Sequence, residues 1–245
     1  MHKHYSIIST FKERPIEAFV YPAKKFEKST VIILKGLYGL HDPQRTDSWE
    51  RGLIDARNDN YTFICINTAR LFISEPESKE AFVGKKFKEE CADIEKIFDH
   101  LILEGVIVDT TPLFFVGHSF GGTTLLGLPA LIQKSTGIVM VASGCGKSET
   151  TDKPLLESLY DEDHLLGSIK EYSGVFMYLR GGNDVVVPRT SQNKIIESAM
   201  PAKVRVVADV LGGEHNLIPT NPAKGIARSL IFATALDMVV SLGSN

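Results

Sequence analysis

The sequence predicts an α/β chain: a doubly wound, mostly parallel sheet with helices on both faces. Three observations carry that expectation. Short apolar, β-branched runs alternate with segments of helical period along the chain. Val31-Ile32-Ile33-Leu34 is apolar without alternation, as a strand covered on both faces must be. Residues able to do chemistry fall just after strands, where ligands bind in sheets of this kind.

The elements follow in order. Tyr5–Ser9 and Ile16–Tyr21 are β-rich and flank a polar turn, Lys12–Pro15, so they predict a hairpin. The run at 31–34 is the next strand. Asp47 or Ser48 can cap a helix through about Arg57. Tyr61–Ile66 is a strand. Over Gly84–Glu104, Phe87, Cys91, Ile94, Ile97, Phe98, Leu101 and Ile102 share one helical face. Pro112–Val116 then leads into Gly117-His118-Ser119-Phe120-Gly121-Gly122, and Thr123–Ile132 reads as one helix. Gly137–Ala142, Val175–Leu179 and Lys203–Val210 are strands, and Ser191–Met200 is a helix. A last helix begins near Asn221-Pro222, with asparagine at the cap and proline in the first turn.

Composition narrows the classes. The chain has 245 residues, 43% hydrophobic, enough for one domain over 1–245 with a substantial core. A net charge of −3 with scattered lysines and arginines gives no nucleic-acid surface or polybasic membrane patch. The N-terminus lacks an apolar h-region. Leu230–Leu242 is short, carries Asp237, and reads as a buried core helix. Cys65, Cys91 and Cys145 are odd in number, without C-x-x-C spacing, which fits reduced thiols in the cytoplasm and gives no metal site. The oligomeric state stays open.

The sequence at 117–121 matches G-x-S-x-G between a strand and a helix, the context a nucleophile elbow needs. A serine hydroxyl is a weak nucleophile and needs a base near neutrality, which histidine supplies. The imidazole needs a carboxylate to fix its tautomer. Asp184 follows the 175–179 strand, and His215 follows the 203–210 strand. Rival acids Asp152, Asp161 and Asp163 lack that context, and Glu214 is read as facing solvent.

From these residues the chain resembles the α/β-hydrolase superfamily, in which nucleophile, acid and base come in the order Ser119, Asp184, His215. Gly181-Gly182-Asn183-Asp184-Val185-Val186-Val187-Pro188 and Gly212-Gly213-Glu214-His215 are similar to that family's acid and base turns. The resemblance implies a serine hydrolase, a carboxylesterase using no cofactor or metal. Its partner would be a small-molecule ester. The same triad leaves open a thioesterase, an acyltransferase, a small peptidase or a non-catalytic ligand-binding member. The resemblance also implies an oxyanion hole from the backbone N–H groups of Leu37 and Phe120. Leu37 lies in Lys35-Gly36-Leu37-Tyr38-Gly39, where Lys35 replaces the family's usual histidine and leaves the loop's internal hydrogen bonds unassigned.

Further residues invite weaker readings. His118 packs or bonds locally. Arg70 could hold a substrate carboxylate, though a surface ion pair is the plainer reading. Cys145 reads as a small pocket-lining residue, Tyr38 and Phe120 as acyl-pocket walls, and Trp49 as packing. The insertion at about 145–173 reads as a minimal cap. Lys147–Lys153 is charged and hydroxyl-rich, so the expectation is a shallow, open site for short or compact acyl groups.

Overall fold

A computed structural model describes residues 2–25, 29–70, 84–146, 154–218 and 225–243. Among the described residues, eight strands form one sheet in the order β1-β2-β4-β3-β5-β6-β7-β8. They are β1 (Lys3–Ile8), β2 (Pro15–Tyr21), β3 (Ser29–Leu34), β4 (Tyr61–Asn67), β5 (Leu113–His118), β6 (Gly137–Val141), β7 (Val175–Gly181) and β8 (Val204–Val210). β2 pairs antiparallel with both β1 and β4, and every pair from β4 to β8 is parallel. The hairpin of β1 and β2 stands as expected.

β3 and β5 are buried along their full lengths because helices cover both faces. α1 (Trp49–Arg57) and α8 (Gly225–Gly243) pack on one face, where Trp49, Leu53, Phe232 and Leu236 meet Val31, Ile33, Phe114 and Val116. The other face is covered by α2 (Phe87–Leu103), α3 (Phe120–Leu126), α4 (Pro129–Lys134), α6 (Glu162–Lys170) and α7 (Arg189–Ser198). There Phe87, Ile94, Phe98, Leu125 and Leu165 meet Ile32, Leu34, Phe115 and Met140. β8 alternates in exposure, as a half-covered edge strand does.

Ser48 rather than Asp47 caps α1, its hydroxyl accepting from the Arg51 N–H at 3.3 Å. Asp47 pairs with Arg45 instead. The segment read as one helix, 123–132, is two. α3 ends at Leu126, and Leu128 takes φ −124° and ψ 63° before Pro129 opens α4. Proline disfavours helical backbone at the residue before it. Gly127 sits so close to α2 that a Cβ there would lie 2.7 Å from Cys91 Sγ.

Between β6 and β7 lie α5 (Pro154–Glu157) and α6. The polar stretch Lys147–Lys153 and the cap at Asn221 lie outside the described residues. Among the described residues, no helix is long and apolar enough to cross a membrane.

Candidate active site

β5 delivers Ser119 at a sharp turn into α3. Its backbone has φ 54° and ψ −122°, a region L residues adopt only under strain. The turn holds because its neighbours lack side chains. A Cβ at Gly121 would lie 2.1 Å from Leu34 O, and one at Gly117 would lie 2.7 Å from Gly122 Cα. Gly122 is equally constrained, since its Cβ would lie 2.0 Å from Ser143 Oγ. The Ser119 N–H donates to Val141 O at 2.8 Å, which ties the elbow to β6.

The three residues read from the sequence meet. His215 Nε2 lies 2.8 Å from Ser119 Oγ, and His215 Nδ1 lies 3.1 Å from Asp184 Oδ2. The turns after β7 and β8 lock together to bring this about: Asn183 N–H donates to Gly213 O at 2.8 Å, and Gly182 N–H to Val210 O at 3.0 Å. Gly181 permits the contact, since a Cβ there would lie 2.1 Å from Glu214 O. Glu214 itself is exposed.

The Asp184 carboxylate is 1% exposed. Burial opposes its ionisation. The hydrogen bonds from His215 and from the Val187 and Val186 amides outweigh that and hold it below its ordinary value. Oδ1 accepts from Val186 N–H at 2.8 Å and Val187 N–H at 3.1 Å. Gln192 Nε2 donates to Oδ2 at 3.3 Å and to Val187 O at 2.9 Å. No sequence signal marks Gln192. Asp161 serves instead as the N-cap of α6, and Asp163 is exposed.

The loop after β3 crosses in front of the elbow, and a Cβ at Gly36 would lie 3.4 Å from Ser119 Cβ. Leu37 and Phe120 both line the cavity that holds Ser119. Phe120 opens α3, where first-turn N–H groups lack helical acceptors. Lys35 supplies the hydrogen bonds left unassigned: its ammonium donates to Leu40 O and to Glu50 Oε1, each at 2.5 Å. Asn67 clamps the far end of the loop, accepting from His41 N–H at 2.8 Å and donating to His41 O at 2.9 Å.

Arg70 corrects the surface reading. It is buried, and its Nε donates to Glu90 Oε1 at 2.7 Å. The rest of its guanidinium donates to the carbonyls of Lys35 (3.3 Å), Gly36 (3.1 Å) and Leu37. It therefore holds the loop from behind. Cys145 is likewise no cavity wall: it is buried, with its N–H donating to Ser191 Oγ at 2.9 Å, and burial raises its thiol. Tyr38 and Phe120 do line the cavity. Trp49 packs, stacked 4.2 Å from Phe232, and also reaches the cavity wall.

His118 lies 5.6 Å from the His215 ring, centroid to centroid. Burial, with the nearby His215 and Arg228, pushes it down to about 3, so it stays neutral. The cavity measures about 1010 Å³ and also takes in Leu156 and Leu159 from the segment between β6 and β7. That is large for a shallow site and suits a drug-sized ligand. Among the described residues, no three His, Cys, Asp or Glu side chains are placed to hold a metal ion.

No family model and no curated protein sequence matches the chain. Solved structures do. A thermostable carboxyl esterase from Bacillus coagulans superposes with a TM-score of 0.70 at 11% identity, over 98% of this chain and 99% of that one. Est1E from Butyrivibrio proteoclasticus, solved with ferulic acid, gives 0.67 at 10% identity over 96% and 99%. A thioesterase domain from the curacin biosynthetic pathway gives 0.64 at 11% identity over 96% and 99%. At such identities the likeness shows the fold: this chain has the α/β-hydrolase fold.

Proposed function

We propose that this protein is a serine hydrolase that cleaves a carboxylic ester through an acyl-enzyme. The observation that carries the reading is the relay of short contacts, Ser119 Oγ to His215 Nε2 at 2.8 Å and His215 Nδ1 to Asp184 Oδ2 at 3.1 Å. Ser119 Oγ attacks the carbonyl carbon while His215 Nε2 takes its proton. The Leu37 and Phe120 N–H groups donate to the oxyanion. The tetrahedral intermediate collapses, and His215 returns the proton to the leaving alkoxide. Water then enters, gives a proton to His215 and attacks the acyl carbon. Release of the acid restores Ser119. Asp184, ionised and held by four donors, keeps the imidazole's Nδ1–H turned toward it and stabilises the imidazolium.

Esterases among the structural neighbours favour an ester over other acyl bonds, and the curacin thioesterase domain keeps thioesters on the list of substrates to try. The whole chain, 1–245, acts as one hydrolase domain, with residues 145–173 as a short cap. Three buried free thiols suit a reducing compartment, the cytoplasm. The test is fluorophosphonate labelling of Ser119 together with turnover of 4-nitrophenyl butyrate and its thioester counterpart. Ser119→Ala should abolish labelling and lower kcat on the order of 10⁶-fold. Labelling elsewhere, or an active Ser119→Ala variant, would remove Ser119 as nucleophile. Labelling without turnover of any ester or thioester would favour a binding protein.

A further inference from the structure

The cavity beside Ser119 contains a cation with no ion-pair partner among the described residues. Arg228 lies on α8, one turn before Phe232, and lines the cavity. Residues four apart share a helix face. The Phe232 ring lies 6.3 Å from the His118 ring, and His118 lies 5.6 Å from His215. Arg228 therefore sits close enough to His118 for its charge to help hold that imidazole neutral.

Several other arginines have carboxylate partners. Arg57 pairs with Asp237, Arg70 with Glu90 and Arg180 with Asp209. Arg228 has none among the described residues, and its Nε is buried without a hydrogen-bond partner. The other charges on this wall are paired, although Glu50 Oε2 accepts no hydrogen bond among the described residues and the Glu50 charge reaches Arg228. Lys35 pairs with Glu50 at 2.5 Å, and Arg45 with Asp47 at 2.7 Å. His118 is neutral. Among the described residues Arg228 is then the cation on this wall with no ion pair, and burial already disfavours its charge. A half-buried guanidinium whose Nε has no acceptor is costly unless something supplies one. The cavity has ample room for that group.

We propose that Arg228 is a specificity-determining residue that takes a carboxylate carried by the substrate whose acyl carbon lies at Ser119. The planar fork of Arg228 suits a carboxylate in two-point contact. This inference rests on the serine hydrolase reading and adds a substrate class to it: esters bearing an anionic end.

The experiment compares charged probes with neutral matches. One pair is the 4-nitrophenyl monoester of adipic acid and its monoamide, which puts the charge on the acyl side. The other is the butyrate ester of 4-hydroxyphenylacetate and of 4-hydroxyphenylacetamide, which puts it on the alcohol side. Wild type should prefer the charged member of at least one pair roughly ten- to a hundredfold in kcat/KM. That ratio should fall to about one in Arg228→Met and be partly kept in Arg228→Lys. A ratio near one for both pairs in wild type, or one that survives Arg228→Met, overturns the proposal. Neutral esters turned over without charge preference would sink this inference alone. No turnover and no fluorophosphonate labelling would sink the hydrolase reading. Calorimetry then still decides the anion site: adipate binding by wild type and not by Arg228→Met supports it, and no binding overturns it. Tighter binding of inorganic phosphate than of adipate would overturn the carboxylate assignment.

Discussion

Two clusters of buried charge flank the Lys35–Gly39 loop. Behind it, Arg70, Glu90, Lys85 and Asp93 form a closed set of two cations and two anions, all buried. Glu90 Oε1 accepts from Arg70 and from Thr68 at 2.9 Å, and its Oε2 from Lys85 at 2.7 Å. Asp93 accepts from Lys85, Ser9 and the Ala69 N–H. In front of the loop, Lys35, Glu50, His41 and Arg228 are also charged or polar and close together. There, among the described residues, Glu50 Oε2 and Arg228 Nε have no hydrogen-bond partner, nor has His118 Nε2 beside them. Evolution can tolerate a buried charge when every atom is matched, as behind the loop. Unmatched atoms gathered on a cavity wall read as groups kept for a ligand. One side of the loop is scaffold, and the other is site.

The largest expected effect comes from opening the closed cluster. Arg70→Met leaves Glu90 buried with one cation fewer and frees the carbonyls of residues 35–37. Loss of one partner from such a network typically costs about 3–5 kcal/mol. Urea unfolding should show that loss. A change under about 1 kcal/mol would mean the cluster is not the scaffold described here.

Arg70→Lys sharpens the point. Lysine keeps the charge but not the fork that reaches Glu90 and three carbonyls together. The loop should then lose alignment with the oxyanion, lowering kcat roughly ten- to a hundredfold with a smaller change in KM. An equal rise in KM at constant kcat would instead place the loop's role in substrate binding.

Acid should separate the clusters from the elbow. Burial alone would raise the Glu90 and Glu50 carboxyls. Lys85 and Arg70 beside the first, and His41 and Lys35 beside the second, hold them at about 2, against an ordinary 4.5. Their contribution is complete above about 4.5 and is lost as pH falls toward 2. His118, at about 3 against an ordinary 6.5, acts earlier. The unfolded chain takes that proton first, so stability declines from about pH 6.5 downward. Thermal unfolding of His118→Asn should lose the decline between pH 6.5 and 4.5 and keep the steeper one below. An unchanged slope in the upper window would mean that His118 is not held neutral.

The sequence made the triad readable and neither charge cluster. Ser119, Asp184 and His215 each sit in a short local pattern at a strand end, so spacing and chemistry announce them. Gly117 and Gly121 belong to the same pattern, and their close contacts follow from it. Both charge clusters draw on separate stretches of chain. Glu90 joins Arg70 from twenty residues away, and Lys35 meets Glu50 across a loop and a helix start. No period or motif links such residues, because only the packing of α2 against the sheet and of α1 against the loop brings them together. Arg70 therefore read as a surface ion pair, and Arg228 did not stand out at all. The break of 123–132 into two helices was legible in Pro129, whose effect on Leu128 outweighs the apolar period around it.

The smallest effect should come from Arg228→Met, and it tests the contrast most directly. If Arg228 belonged to a scaffold, its loss would cost as much as the loss of Arg70. If it is kept for a ligand, the folded protein without ligand already bears an unmatched guanidinium. Methionine has a similar reach, no charge to desolvate, and can lie along the Trp49–Phe232 side of the cavity. Replacing an ill-paired buried charge by an apolar side chain is often neutral or stabilising. The unfolding free energy of Arg228→Met should thus stay within about 1 kcal/mol of wild type or rise. Adding a bound dicarboxylate should restore the difference in favour of wild type, because only a protein that binds the ligand gains from it. A loss above about 2 kcal/mol in the ligand-free variant would move Arg228 to the scaffold side, and the two faces of the loop would then be alike.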